Sequence, residues 1–168
     1  MKDIAEVALK YVGYPAISST RGIGNTVDGF TCSGFIEYVL REAEIPIPMV
    51  PGKNRQLVYA VEFFDFFGIS VHYSFMKKGD LVFFSQDGVR PTHIGLCVDG
   101  ARGRSAGRMI HSPGEDGMRV SIDGIRGFIE IEYDKRRDYE QIYDKNPIGI
   151  KRSAILIPER RFQRMVTR

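Results

Sequence analysis

The sequence predicts an α+β domain in which N-terminal helices pack on an antiparallel β-sheet, and three observations carry that prediction. Apolar residues recur at helical spacing in segments that end near residue 67. From residue 81 onward the pattern changes to short β-branched and aromatic runs. Helices that precede the strands, without alternating with them, mark an α+β order and not a parallel βαβ one. The length of 168 residues suits one such core, since single-core domains run to about 100 to 200 residues. An apolar fraction of 43%, with 11 Phe and 8 Tyr, supplies the core and excludes wholesale disorder.

The first helix is expected over residues 3–12, where Ile4, Val7, Ala8, Tyr11 and Val12 make one stripe before Gly13 and Pro15 stop it. Residues 13–31 are rich in Gly, Ser and Thr and show no period, and a loop of that length inside a compact domain tends to be functional. A second helix is expected from Cys32 to Glu44, with Phe35, Ile36, Val39, Leu40 and Ala43 on its apolar face and Pro46 and Pro48 ending it. A weaker helical pattern covers 54–67 through Leu57, Val58, Val61 and Phe64. Strands are expected at 81–84 and 93–98, joined as a hairpin through Asp87-Gly88, and then at 108–111, 118–122, 128–133 and 153–157. The last ten residues, 159–168, hold four arginines and read as a solvated basic tail to a domain of residues 1–158.

Charge and cysteine usage narrow the chemistry. Lys plus Arg exceeds Asp plus Glu by only 24 to 21, too small an imbalance to argue for nucleic acid. No apolar stretch approaches the ~18 residues of a membrane span. Two cysteines make no disulfide framework. Cys32 lies at the junction of a glycine-rich loop and a helix, where unpaired N–H groups and the helix dipole favour a thiolate. Cys97 alternates with Leu96 and Val98 in a buried-looking strand and reads as core. Cys32, Cys97, His93 and His111 would also make a sensible zinc set, but no pair has the close spacing of a zinc module. His72 reads as a surface histidine.

The string Gly29-Phe-Thr-Cys-Ser-Gly-Phe35, followed in order by Lys78-Gly-Asp-Leu-Val-Phe-Phe84, Thr92-His-Ile-Gly-Leu96 and Met109-Ile-His-Ser112, resembles the NlpC-type cell-wall cysteine peptidases. Ile148-Gly-Ile-Lys-Arg152 resembles the strand that closes the family domain, so the likeness runs over nearly the whole chain. It implies a papain-like fold with Cys32 as nucleophile, His93 as general base and His111 orienting His93. The chemistry agrees: a thiol nucleophile needs an imidazole titrating near the working pH, and that imidazole needs a partner to fix its tautomer. Both histidines lie on expected strands, where they are positioned to face the helix that starts at Cys32.

The same resemblance implies hydrolysis of an amide in the stem peptide of bacterial peptidoglycan, at the bond from the γ-carboxyl of D-Glu to the diamino acid, with no metal or organic cofactor. The partners implied are stem peptides, with neither nucleic acid nor membrane, and the oligomeric state stays open. Tyr14, Thr31 and Ser33 are the candidates for oxyanion or substrate contacts, beside the backbone N–H of Cys32. Two departures bear on substrate choice. The family's usual Pro-Tyr pair is Pro15-Ala16 here, with Tyr14 one residue early, and Thr31 stands where the family usually carries aspartate. The segment Gly100–Gly107, with two arginines and three glycines, reads either as a basic flap or as a solvated hairpin tip. An acyltransferase or other amidase on the same scaffold, and a wall-binding module without turnover, are the alternative readings. Asp3 and Glu6 stand where a signal peptide would place its apolar run, so the expectation is a cytoplasmic chain or one delivered to the wall by a non-Sec route.

Overall fold

The Asp3 carboxylate opens the chain's first helix by accepting from the N–H groups of Ala5 at 2.9 Å and Glu6 at 3.3 Å. The computed structural model describes residues 2–18, 24–72, 75–85, 88–100, 107–125 and 148–154. Helix α1 spans Ile4–Leu9 and buries Ile4, Ala5, Val7 and Ala8. It is shorter than the expected 3–12, because the chain tightens after Leu9 into i→i−3 bonds such as Tyr11 N–H to Ala8 O at 3.0 Å. Gly13, at φ +89°, then turns it away.

The glycine-rich stretch is not structureless. Strands β1 (Gly24–Asn25) and β2 (Gly29–Phe30) pair antiparallel, and the Asn25 side chain closes their turn by accepting from Val27 N–H at 2.7 Å and Asp28 N–H at 2.8 Å. Two-residue strands leave no period in a sequence, which is why they escape notice there. Phe30 N–H donates to Pro15 O and Ile17 N–H donates to Phe30 O, both at 3.0 Å. The residues just before Cys32 are thereby held to the Pro15–Ile17 segment.

Helix α2 spans Cys32–Glu42, and Thr31 caps it by accepting from Gly34 N–H at 3.1 Å through Oγ1. Its far end closes in a Schellman motif, with Ile45 N–H on Leu40 O at 2.9 Å and Glu44 N–H on Arg41 O at 3.0 Å. Glu44 sits there at φ +61°, a left-handed position that favours glycine. Helix α3, Ala60–Phe66, begins six residues later than the expected 54. Residues before it fold back instead, with Val50 N–H on Arg55 O at 2.9 Å, and Glu62 caps the later start by accepting from Val58 N–H at 3.0 Å. The Arg55 guanidinium beside Glu62 holds its carboxyl down to about 2.

Six strands, β3 (Ile69–Ser70), β4 (Leu81–Ser85), β5 (Pro91–Asp99), β6 (Arg108–His111), β7 (Ser121–Gly124) and β8 (Gly149–Arg152), form one antiparallel sheet in the order β3-β8-β4-β5-β6-β7. β3 has too few residues to be read from the sequence. β7 starts three residues later than the expected 118, because Met118 and Val120 pair with the segment after α1: Val120 N–H donates to Tyr14 O at 2.8 Å and Ala16 N–H to Met118 O at 2.9 Å. The last strand among the described residues is β8, at the place the family likeness gave it, and Ser153 and Ala154 lie past its end. The strand expected at 128–133, the rest of 153–157, residues 101–106 of the flap and the tail 159–168 lie outside the described residues, as does Asp87. β4 and β5 nonetheless pair as expected, with Phe84 opposite His93.

Strand alternation sorts the side chains onto two faces. Leu81, Phe83, Ile94, Leu96, Val98 and Ile110 join the main core with α1 and α2. Val82, Phe84, Cys97 and Met109 join a second cluster with Met76, Ile125 and Ile150. Among the described residues no helix is long and apolar enough to cross a membrane.

Because α2 carries Cys32 and ends in a strained left-handed residue, Glu44→Gly should stabilise the fold by roughly 1 kcal/mol. Thermal unfolding checks this: a midpoint raised by about 2–4 °C is expected for a chain of this size, and a lowered one would show that the Glu44 side chain contributes more than its backbone costs.

Candidate active site

Four N–H groups at the start of an α-helix have no intrahelical partner, and in α2 three of them, on Cys32, Ser33 and Gly34, have two different uses. Gly34 N–H is taken by the Thr31 hydroxyl, and the regular i→i−4 ladder starts with Phe35 N–H on Thr31 O at 2.9 Å. Backbone N–H groups of Ile94 on β5, and of Ser33 and Cys32 at the helix start, lie close enough to the Cys32 sulfur to favour its charged form. Burial nevertheless pushes the Cys32 thiol up, outweighing these three donors. The half-buried sulfur is thus a resting thiol, and its ionisation calls for a base.

The position of Ile94 explains how a sulfur on α2 meets the sheet. β6 pairs with β5 only from Leu96 to Asp99, whereas residues 91–96 pair with β4 on the other side. Where β6 leaves β5, the end of α2 takes its place, and the Ser112 hydroxyl just past β6 donates to Phe30 O at 2.5 Å. Ser112 is fully buried, so this bond ties the end of β6 to the residues leading into Cys32.

His93 precedes Ile94, and alternation places it opposite Phe84, with ring centroids 6.2 Å apart. His93 and His111 therefore share the face of the second cluster, not the face covered by α2 as the sequence suggested, and it is the opening between β5 and β6 that brings α2 near them. Their rings stand at 89° to each other, with His93 Nε2 3.0 Å from His111 Nδ1. His111 is buried, and its Nε2 lies 2.8 Å from Asp123 Oδ2 on β7. Asp123 was not singled out by the sequence. Its only sequence signal is the alternation of Ser121-Ile-Asp123, which puts two polar residues on the strand face opposite the apolar Ile122.

The other site candidates have the following places. Thr31 is buried as the α2 cap, and Ser33 is buried in the first turn, where its backbone N–H lies near the sulfur. Tyr14 packs edge-on against Tyr11 with centroids 5.1 Å apart and lies 6.4 Å from the Phe30 ring, and Ala16, at the family's tyrosine position, is buried. Cys97 is fully buried, donates through its thiol to Asp99 O at 2.9 Å, and is pushed up to about 12 by burial. His72 is exposed. Among the described residues no group of three or more His, Cys, Asp or Glu side chains is arranged to hold a metal ion.

The contrast between the two thiols is directly testable. Iodoacetamide at neutral pH should modify Cys32 many times faster than Cys97, because Cys32 is partly exposed whereas Cys97 is fully buried. Mass mapping of the alkylated chain reads the ratio, and preferential labelling of Cys97 would contradict the site as described.

Residues 21–135 match the model of the NlpC/P60 family. A gamma-D-glutamyl-L-lysine dipeptidyl-peptidase from Bacillus cereus is 28% identical over 140 residues, covering 82% of this chain and 36% of its own length. The chain thus spans little more than a third of that curated relative, at 36%. Among solved structures, a lipoprotein-like NLP/P60 protein from Staphylococcus aureus superposes with a TM-score of 0.56 at 24% identity, over 89% of this chain and 40% of that one. The P60 domain of an antigen from M. avium subspecies paratuberculosis gives 0.51 at 18% identity, over 74% of this chain and 84% of its own. At such identities the structures speak for a common fold, the papain-like arrangement of helices on an antiparallel sheet. With the family model matched over residues 21–135 of 168, the chain belongs to the NlpC/P60 family.

Proposed function

We propose that this chain is a thiol hydrolase that cuts an amide in the stem peptide of bacterial peptidoglycan, at the bond from the γ-carboxyl of D-Glu to the diamino acid. The observation that carries the reading is the seating of the Cys32 sulfur on Ile94 N–H, one residue from a histidine whose far nitrogen is engaged by a second histidine. A thiol, a base beside it and an orienting group behind the base are the parts that acyl transfer through sulfur requires. The name of the Bacillus cereus relative favours the γ-glutamyl bond.

In the proposed reaction His93 takes the Cys32 proton as the sulfur attacks the carbonyl carbon. Charge develops on the carbonyl oxygen, and the N–H groups of Cys32 and Ser33, already directed at the sulfur, are the nearest donors for it. Collapse breaks the C–N bond, and the proton on His93 passes to the leaving amine. Water then attacks the thioester with His93 again as base, releasing the carboxylic acid and restoring the thiol. His111 holds the His93 ring throughout. Thr31, next to Cys32 in sequence, is neutral where the family usually carries a carboxylate, which favours stems that present no free amine, and Tyr14 is the candidate for a further substrate contact.

Digestion of purified muropeptides, with the fragments weighed by mass spectrometry, tests the reading. Products split after the γ-glutamyl carbonyl are expected, undiminished by EDTA. Cys32→Ala and His93→Ala should abolish turnover, whereas His111→Ala should retain a residue of it, because an orienting group is less essential than the base. Intact muropeptides, or activity lost with EDTA and restored by zinc, would contradict it.

A further inference from the structure

The ring nitrogens of the two histidines form one chain that ends on a carboxylate. His93 Nε2 lies 3.0 Å from His111 Nδ1, and His111 Nε2 lies 2.8 Å from Asp123 Oδ2. The same carboxylate oxygen accepts from the Ser121 hydroxyl at 2.8 Å. Strand register builds this arrangement: on the β6–β7 ladder His111 faces Ser121 and Met109 faces Asp123, so all four side chains share one sheet face. Ile122 between the two polar residues packs against the main core on the other face, which fixes the register.

A chain of hydrogen bonds has a direction, and here one end sets it. A carboxylate only accepts, so His111 must carry its proton on Nε2. A neutral imidazole so protonated offers Nδ1 as an acceptor. His93 must then carry its own proton on Nε2, which leaves the lone pair of His93 on Nδ1, the nitrogen not engaged by His111. Reversed, with His111 protonated on Nδ1 and donating to His93 Nε2, the chain would put the His93 proton on Nδ1 and leave that nitrogen unable to accept from a thiol. The two directions have the same heavy-atom geometry, and what distinguishes them is the charge at the far end.

We propose that Asp123 is a positioning residue that fixes the tautomers of both His111 and His93, through Asp123 Oδ2, with Ser121 holding the carboxylate in place. Asp123 acts through His111, whose Nε2 it holds at 2.8 Å. When the Cys32 proton moves to His93 Nδ1, no proton passes along the chain, and the positive charge on His93 is stabilised through two hydrogen bonds that already point toward the carboxylate. This role rests on the proposed use of His93 as base, but the tautomers themselves can be read without turnover.

The test uses the full chain labelled with 15N in the imidazoles, as wild type, Asp123→Asn and Asp123→Ala. In wild type, both histidines should show a protonated Nε2 and a bare Nδ1 in their 15N shifts at a pH where the rings are neutral. In Asp123→Asn, which keeps the shape and loses the charge, a mixture of tautomers is expected. The kcat on muropeptides should fall about ten- to hundredfold with KM little changed, less than when a carboxylate bonded directly to the base is lost. Matching backbone spectra of the Asn variant separate this from a folding defect, and Asp123→Ala gives a second reading. Unchanged ring-nitrogen shifts in both variants, or shifted tautomers with undiminished kcat, overturn the proposal. A wild-type protein with the expected shifts and no action on muropeptides would sink the peptidase reading while leaving the hydrogen-bond chain in place.

Discussion

The N-terminus of α2 is held in the opening where β6 departs from β5, and the site depends on that seating. Three bonds maintain it: Thr31 caps the helix, Ile94 N–H reaches the Cys32 sulfur, and Ser112 binds Phe30 O at 2.5 Å. The last of these is between buried groups, and without it Phe30 O would keep only its bond from Ile17 N–H, a net cost of about 0.5–1.5 kcal/mol. The ladder between β4 and β5 fixes where Ile94 stands, and the apolar stripe of Phe35, Ile36, Val39 and Leu40 fixes how α2 lies on the sheet. Cys32 is thus set by packing on one face of the sheet and the histidines by register on the other.

This division has an electrostatic consequence. Burial that packs α2 against the sheet also raises the thiol, and the dipole and N–H groups of the helix start do not cancel that rise. The sequence alone favoured a thiolate at this address, whereas burial at the helix start pushes the thiol up against it. A base with a defined lone pair then matters more than it would beside a preformed thiolate. The line from His93 through His111 to Asp123 supplies direction to that lone pair.

Much of this arrangement is legible in the sequence, for physical reasons that differ from residue to residue. Cys32 at a helix start is visible because a glycine-rich loop gives way to a 3.6-residue apolar stripe at that position. The strands bearing His93 and His111 are visible because β-branched and aromatic runs are dense there. β1, β2 and β3 are not, since two residues carry no period, and the start of α3 was misplaced because backbone pairing of Val50 with Arg55 overrode a weak helical pattern. Asp123 was missed for another reason. It lies on a four-residue strand whose start is concealed by residues 118–120 pairing elsewhere, and only the β6–β7 register brings it to His111. The face on which the histidines lie was likewise set by ladder geometry, which a sequence does not print.

The central claim is that Cys32 forms a covalent acyl intermediate with a stem peptide, and trapping that intermediate tests it most directly. The wild-type chain would be mixed with a peptide carrying the D-glutamyl γ-linkage to a diamino acid, quenched in acid within the first turnover, and weighed intact. The account predicts a mass gain equal to the acyl half of the peptide, mapped to Cys32 and absent from Cys32→Ala. Cleavage of the peptide by Cys32→Ala at the wild-type rate, or an adduct carried by any other residue, would contradict it.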